Sequence, residues 1–164
     1  MQKVLVAVSS KHGSTIEIAR NIGAVLTENG LITDVREIID VSDMGIYDAY
    51  VIGGAVYAGR WLPDLYKFID QNIHAITTKP TWLFSSGPIG DPLKPEADTA
   101  IVIKDMVNKT RAIEHKLFAG KLDSNNLSLP EKLITKLFKT TDGDFRNWDE
   151  ITRWAKSIAE ILKQ

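Results

Sequence analysis

The stretch Val4-Leu5-Val6-Ala7-Val8-Ser9-Ser10-Lys11-His12-Gly13-Ser14-Thr15 decides the fold. Val4 to Val8 is a short, unbroken apolar run rich in β-branched residues, the pattern of a strand buried on both faces of a parallel sheet. A loop of hydroxyls and one glycine follows. Then Ile18, Ala19, Ile22, Val25 and Leu26 recur at helical spacing, and Gly30 supplies a stop. A buried strand, a polar loop and an amphipathic helix form the first half of a βαβ unit.

Working outward, the alternation repeats. Residues 31–38 read as a more exposed second strand, and Ala49-Tyr50-Val51-Ile52 as a third, closed by Gly53-Gly54. Pro63 opens a helix whose apolar stripe runs through Leu65, Phe68, Ile69, Ile73 and Ile76. Thr81-Trp82-Leu83-Phe84 is a fourth strand, residues 98–108 a helix and residues 115–119 a fifth strand. Ser128-Leu129-Pro130-Glu131 has capping-box spacing for a helix to about Phe138, and Asn147 to Glu150 caps a last helix striped by Trp148, Ile151, Ala155, Ile158 and Leu162. Strands alternating with helices predict an α/β protein with a doubly wound parallel sheet. Its 164 residues, with no linker or repeat, fit one domain spanning 1–164.

Composition narrows the chemistry. Twenty Lys and Arg against twenty-one Asp and Glu leave a formal charge of −1, which disfavours a broad electrostatic grip on nucleic acid. The absence of cysteine excludes disulfides, thiol catalysis and thiolate-held metal. His74 and His115 lack ligand spacing. Asp142, Asp144, Asp149 and Glu150 are explained by helix capping and the helix dipole, so no metal site is expected. The opening apolar run is too short for an export signal, and a cytoplasmic location is expected.

In such a sheet, ligands bind beyond the carboxyl ends of the strands. Three loops leave those ends. The first carries Ser10, Lys11, His12, Gly13, Ser14 and Thr15 at a helix N-terminus, where unpaired amides and the helix dipole suit a phosphate monoester. It has neither Walker A nor dinucleotide spacing. The second, Gly53-Gly54-Ala55-Val56-Tyr57-Ala58-Gly59-Arg60-Trp61, sets two aromatics among small residues and suits stacking of a flat ring, against the simpler reading of Trp61 as a lid on the core. The third, with Ser85, Ser86, Gly87, Pro88 and Gly90, offers backbone donors for the polar edge of such a ring.

A phosphate loop, a stacking loop and an amide-rich loop together describe a pocket for flavin mononucleotide (FMN). The sequence resembles the flavodoxin-like superfamily, with Ser10-Lys11-His12-Gly13-Ser14-Thr15 as its phosphate loop. It is similar in particular to the branch that includes menaquinone-dependent protoporphyrinogen dehydrogenases. The matching stretches are residues 54–62 and 83–92, Phe118-Ala119-Gly120-Lys121-Leu122, and Gly143-Asp144-Phe145-Arg146-Asn147-Trp148-Asp149-Glu150-Ile151. This resemblance implies a three-layer αβα sandwich with a five-stranded parallel sheet in the order 2-1-3-4-5.

It also implies that residues 10–15 hold the FMN phosphate. Ala55, Val56, Tyr57, Ala58, Gly59 and Trp61 would line the isoalloxazine, and Ser85, Ser86, Gly87, Pro88 and Gly90 its pyrimidine edge. No side chain is singled out as catalytic, because the flavin carries the chemistry. The implied activities are oxidation of protoporphyrinogen IX with a quinone acceptor in haem biosynthesis or, alternatively, electron carriage between redox proteins. A third reading keeps the fold as a binding module without flavin. Flavodoxin carriers are usually strongly acidic, and a charge of −1 fits poorly with docking on basic partners.

Partners are therefore expected to be a redox protein or a quinone, and a homo-oligomer is left open by the resemblance. Between residues 104 and 139, eight Lys and Arg stand against four Asp and Glu. Lys132, Lys136 and Lys139 share one helical face opposite Leu133, Ile134, Leu137 and Phe138. That pattern suits a peripheral contact with the inner face of an anionic membrane. The simpler alternative is an apolar face packed on the sheet with solvated lysines.

Overall fold

The computed structural model describes residues 1–57, 59–87, 97–130, 132 and 142–164. β1 (Lys3–Ser9), β2 (Ile32–Glu37), β3 (Ala49–Tyr57), β5 (Thr81–Ser86) and β6 (Glu114–Phe118) form a parallel sheet in the order β2-β1-β3-β5-β6, with the two-residue β4 (Arg60–Trp61) hairpinned onto β3. Leaving β4 aside, this is the order 2-1-3-4-5 expected for the five main strands.

The strands are apolar on both faces because helices cover both. Val4, Val6 and Val8 point with Val51, Trp82 and Phe84 toward α1 (Ser14–Glu28) and the C-terminal helix α5 (Trp148–Leu162). Leu5 and Ala7 point with Tyr50, Ile52 and Leu83 the other way, toward α2 (Pro63–Gln71), α3 (Ile73–Thr78) and Met106 of α4 (Ala97–Thr110). Successive residues of one strand thus supply two cores. β2 lies at the sheet edge with no buried residue, as its charged sequence predicts.

The helix ends follow their sequence signals. Gly30 takes φ +86°, and the Gly30 and Leu31 amides return to the carbonyls of Thr27 and Leu26. Asn147 accepts a hydrogen bond from the Glu150 amide at 3.1 Å, capping α5.

Two expectations change. The helix predicted through Ile76 divides at Asn72, whose side-chain amide donates to the Phe68 carbonyl at 2.8 Å and so competes with the main-chain ladder. The third strand does not close at Gly53-Gly54 but runs on to Tyr57. Its neighbours β1 and β5 still pair with it at Gly54, and β4 then takes up Val56 and Tyr57. The helix expected from Ser128 to Phe138 lies largely outside the described residues.

Candidate functional site

The register sets Ser9 beside Gly54, and Gly54 beside Ser85. The three expected loops therefore depart from one rung of the sheet, at its carboxyl edge. β1 lies between β2 and β3, so the chain winds in opposite directions on either side of it. The loops sit at this topological switch point.

At the first loop, Gly13 takes φ +86° as the residue before α1, and its amide donates to Ser10 Oγ at 3.2 Å. Among the described residues no side chain caps the helix, so its first-turn amides are presented outward with the positive end of the dipole. Thr15 Oγ1 is buried within this turn and has no hydrogen-bond partner among the described residues, in a residue 1% exposed. An orphan hydroxyl costs about 1–3 kcal/mol unless something meets it. Uncapped amides and an unmet hydroxyl are the donor set a phosphate monoester requires. Nearby, Ser9 Oγ donates to the Asp64 carboxylate at 3.0 Å, tying the end of β1 to the start of α2.

The second loop is a tight β3–β4 hairpin in which Val56 opposes Trp61 and Tyr57 opposes Arg60. Alternation along the hairpin separates the two aromatics. Tyr57 is half-buried, and its ring meets the His12 ring edge-on at 6.2 Å, joining the hairpin to the first loop. Trp61 is 5% exposed and packs in the α2 core. Of the two readings of Trp61, its burial fits the lid on the core and not a ring lying flat against a ligand, because strand pairing turns its side chain inward. Ala55 is also buried, Val56 and Gly59 are half-buried, and Ala58 lies outside the described residues.

Trp61 begins a buried polar chain. Its indole N–H donates to Ser85 Oγ at 2.8 Å, and Ser85 Oγ lies 2.8 Å from His115 Nε2. Ser85 accepts from the indole and keeps one proton and one lone pair, so it can pair with Nε2 of a neutral His115 in either tautomer. Burial agrees, pulling the His115 pKa down to about 4. Ser85 is fully buried with its hydroxyl engaged, which leaves only its backbone for the donor role expected of it. His115, which lacks ligand spacing in the sequence, finds a partner thirty residues away that nothing local signals.

The titration has a thermodynamic consequence. The unfolded chain takes up the His115 proton near pH 6.5 and the folded protein only near pH 4, so acidification through that window favours unfolding. At about 1.4 kcal/mol per pH unit, the expected loss between pH 7 and pH 4 is roughly 3 kcal/mol. Urea unfolding across this range should show the loss, and His115→Gln should flatten it.

At the third loop, Ser86 is buried, and Gly87 takes φ +88° with its amide donating to the Phe118 carbonyl at 2.9 Å. Gly120 approaches so closely that an added Cβ would sit 3.2 Å from Gly87 Cα. Pro88 and Gly90 lie outside the described residues. Two of the acidic residues near the C-terminus are engaged in pairs: Glu150 with Lys116 at 2.8 Å, and Asp144 with Arg146, whose hydrogen bonds hold the Asp144 carboxyl below its usual pKa.

A doubly wound sheet with an open helix N-terminus at its switch point is the flavodoxin-type arrangement, and the chain belongs to the flavodoxin domain family, whose model matches residues 5–148. FMN is the cofactor that this membership brings, and Thr15 with the open first turn of α1 fits its phosphate. Among curated relatives, the chain is 23% identical to the protoporphyrinogen IX dehydrogenase [quinone] of Escherichia coli K12, over 97% of this chain and 96% of that protein. Among solved structures, it resembles a flavodoxin from the domain Archaea at TM-score 0.68 and 19% identity, with 99% of both chains covered. It also resembles the rubredoxin oxygen:oxidoreductase of Desulfovibrio gigas at TM-score 0.62 and 13% identity, covering 99% of this chain but 36% of that one.

Proposed function

We propose that this protein is an FMN-dependent oxidoreductase that oxidises a porphyrinogen and passes the electrons to a quinone. The observation that carries the reading is the end-to-end match with protoporphyrinogen IX dehydrogenase [quinone], which leaves almost no part of either chain unaligned. The near-neutral charge supports it, since a carrier that docks on basic partners gains from a strongly acidic face.

Bound FMN supplies hydride and electron transfer; the chain supplies position. In this reading the first-turn amides of α1 and the Thr15 hydroxyl hold the phosphate. The loops at 10–13 and 85–87 and the hairpin at Tyr57 frame the ring system, and the Trp61–Ser85–His115 chain stiffens the hairpin from beneath. Lys132 is exposed, in keeping with a basic contact on an anionic membrane; Lys136 and Lys139 lie outside the described residues. No described helix is long and apolar enough to cross a membrane, so access to a membrane quinone would be from the surface.

Anaerobic mixing of the FMN-loaded protein with protoporphyrinogen IX and a menaquinone analogue tests the activity. Porphyrin fluorescence should rise in step with quinone reduction. Reduction by a flavodoxin reductase without porphyrin formation would favour the carrier instead.

The phosphate assignment has a test in which stability and binding move in opposite directions. Thr15→Val removes an unmet buried hydroxyl while nearly preserving shape, so the FMN-free protein should gain about 1 kcal/mol. The same change deletes a phosphate donor, and FMN affinity should fall about tenfold. Urea unfolding and flavin-fluorescence titration read the two effects separately. Unchanged FMN affinity would remove Thr15 from the site.

A further inference from the structure

The segment Gly143-Asp144-Phe145-Arg146-Asn147 reaches back to the phosphate loop from the far end of the chain. β8 (Gly143–Asp144) pairs antiparallel with β7 (Lys121–Leu122), and the Phe145 amide donates to the Gly120 carbonyl at 3.1 Å. This places Arg146 against the first turn of α1.

Its side chain is only 4% exposed. Nε and Nη2 bind both oxygens of Asp144 at 2.8 and 2.6 Å, and Nη1 reaches Glu17 at 2.5 Å and the Ser14 carbonyl at 3.2 Å. The guanidinium also lies over the Trp148 ring, 4.6 Å from its centroid.

We infer that Arg146 is a positioning residue for the FMN phosphate, acting through the Ser14–Thr15 peptide. This rests on the phosphate reading of the α1 N-terminus given above. A trans peptide points its carbonyl and its N–H in opposite directions. Holding the Ser14 carbonyl toward Arg146 therefore sets the direction of the Thr15 amide, in the turn that also carries the unmet Thr15 hydroxyl. The hydrogen bond further polarises that peptide and strengthens its amide as a donor.

Arg146 does not serve as the phosphate's counter-ion, because Asp144 and Glu17 already neutralise it. The carboxylates hold the guanidinium in place, and the guanidinium holds the peptide. Through Gly120, which packs on Gly87, the same segment also braces the third loop. The tail thus joins two of the three loops that the cofactor bridges.

The experiment compares FMN with riboflavin, which lacks the phosphate, on the full chain. Arg146→Lys keeps the charge but not the fork, and should weaken FMN about tenfold while moving riboflavin affinity less than about twofold. General loosening of the fold would weaken both alike and overturn the proposal. Asp144→Asn gives a second test by sign. Removing a negative charge should strengthen an anion's binding by electrostatics alone, whereas releasing Arg146 should weaken it. Weaker FMN with unchanged riboflavin supports the positioning role; tighter FMN overturns it. A wild-type protein that binds both flavins equally would instead sink the phosphate reading itself.

Discussion

Trp61→Ala should destabilise the FMN-free protein by about 3–5 kcal/mol, the usual cost of truncating a buried tryptophan. The residue is 5% exposed and packs against the α2 core, with Tyr66 and His115 rings at 5.8 and 6.2 Å. Trp61→Phe separates the contributions, since it keeps most of the apolar contact and loses only the indole bond to Ser85. A loss of about 1 kcal/mol for that bond is expected beyond the packing change. Because the hairpin carrying Tyr57 is pinned by this side chain, Trp61→Ala should also weaken FMN. Urea unfolding with parallel flavin titration measures both. A cost for Trp61→Ala below 1 kcal/mol would mean that the indole is not a core anchor.

Gly53→Val should abolish soluble folded protein. A Cβ at Gly53 would lie 2.3 Å from two carbons of the Phe84 ring. Phe84 cannot retreat, because it is fully buried between the rings of Phe118 and Trp154 at 6.2 and 6.3 Å. Interiors are close-packed, and overpacking alone costs about 1–3 kcal/mol even where some relaxation is available. Here the clash falls on the central strand, so Gly53→Ala should cost about 3 kcal/mol, at the upper end of that range. Phe84→Leu added to Gly53→Ala should recover part of the loss, giving a favourable coupling in a double-mutant cycle. Additive losses would show that the glycine is needed for some reason other than room for the ring. The next residue meets the opposite core: a Cβ at Gly54 would lie 2.7 Å from Leu65 Cδ2. One glycine pair thus serves both layers of the sandwich, just before the strand reaches the loops at the carboxyl edge of the sheet.

The alternating strands and helices, the caps at Gly30 and Asn147 and the glycine turn that leads into α1 were legible from the chain because each depends on neighbours within a few residues. Buried β-branched runs, helical spacing and a glycine before a hydroxyl-rich turn are local signals. The same locality explains the errors. Read alone, Gly53-Gly54 signals a strand end, yet here each glycine makes room for a side chain from another element, Phe84 or Leu65. Trp61 reads as a loop aromatic until the pairing of Val56 with Trp61 turns it inward.

By itself, then, the sequence determined the α/β class and, through its alternation of strands and helices, a doubly wound parallel sheet, since periodicity and capping act over one or two turns of chain. Only the tertiary structure decided which hairpin aromatic turns into the core, that Ser85 and His115 are partners, and that Arg146 grips the Ser14 carbonyl 132 residues away. Those outcomes depend on side-chain direction and register across separate elements, which exist only once the chain has packed.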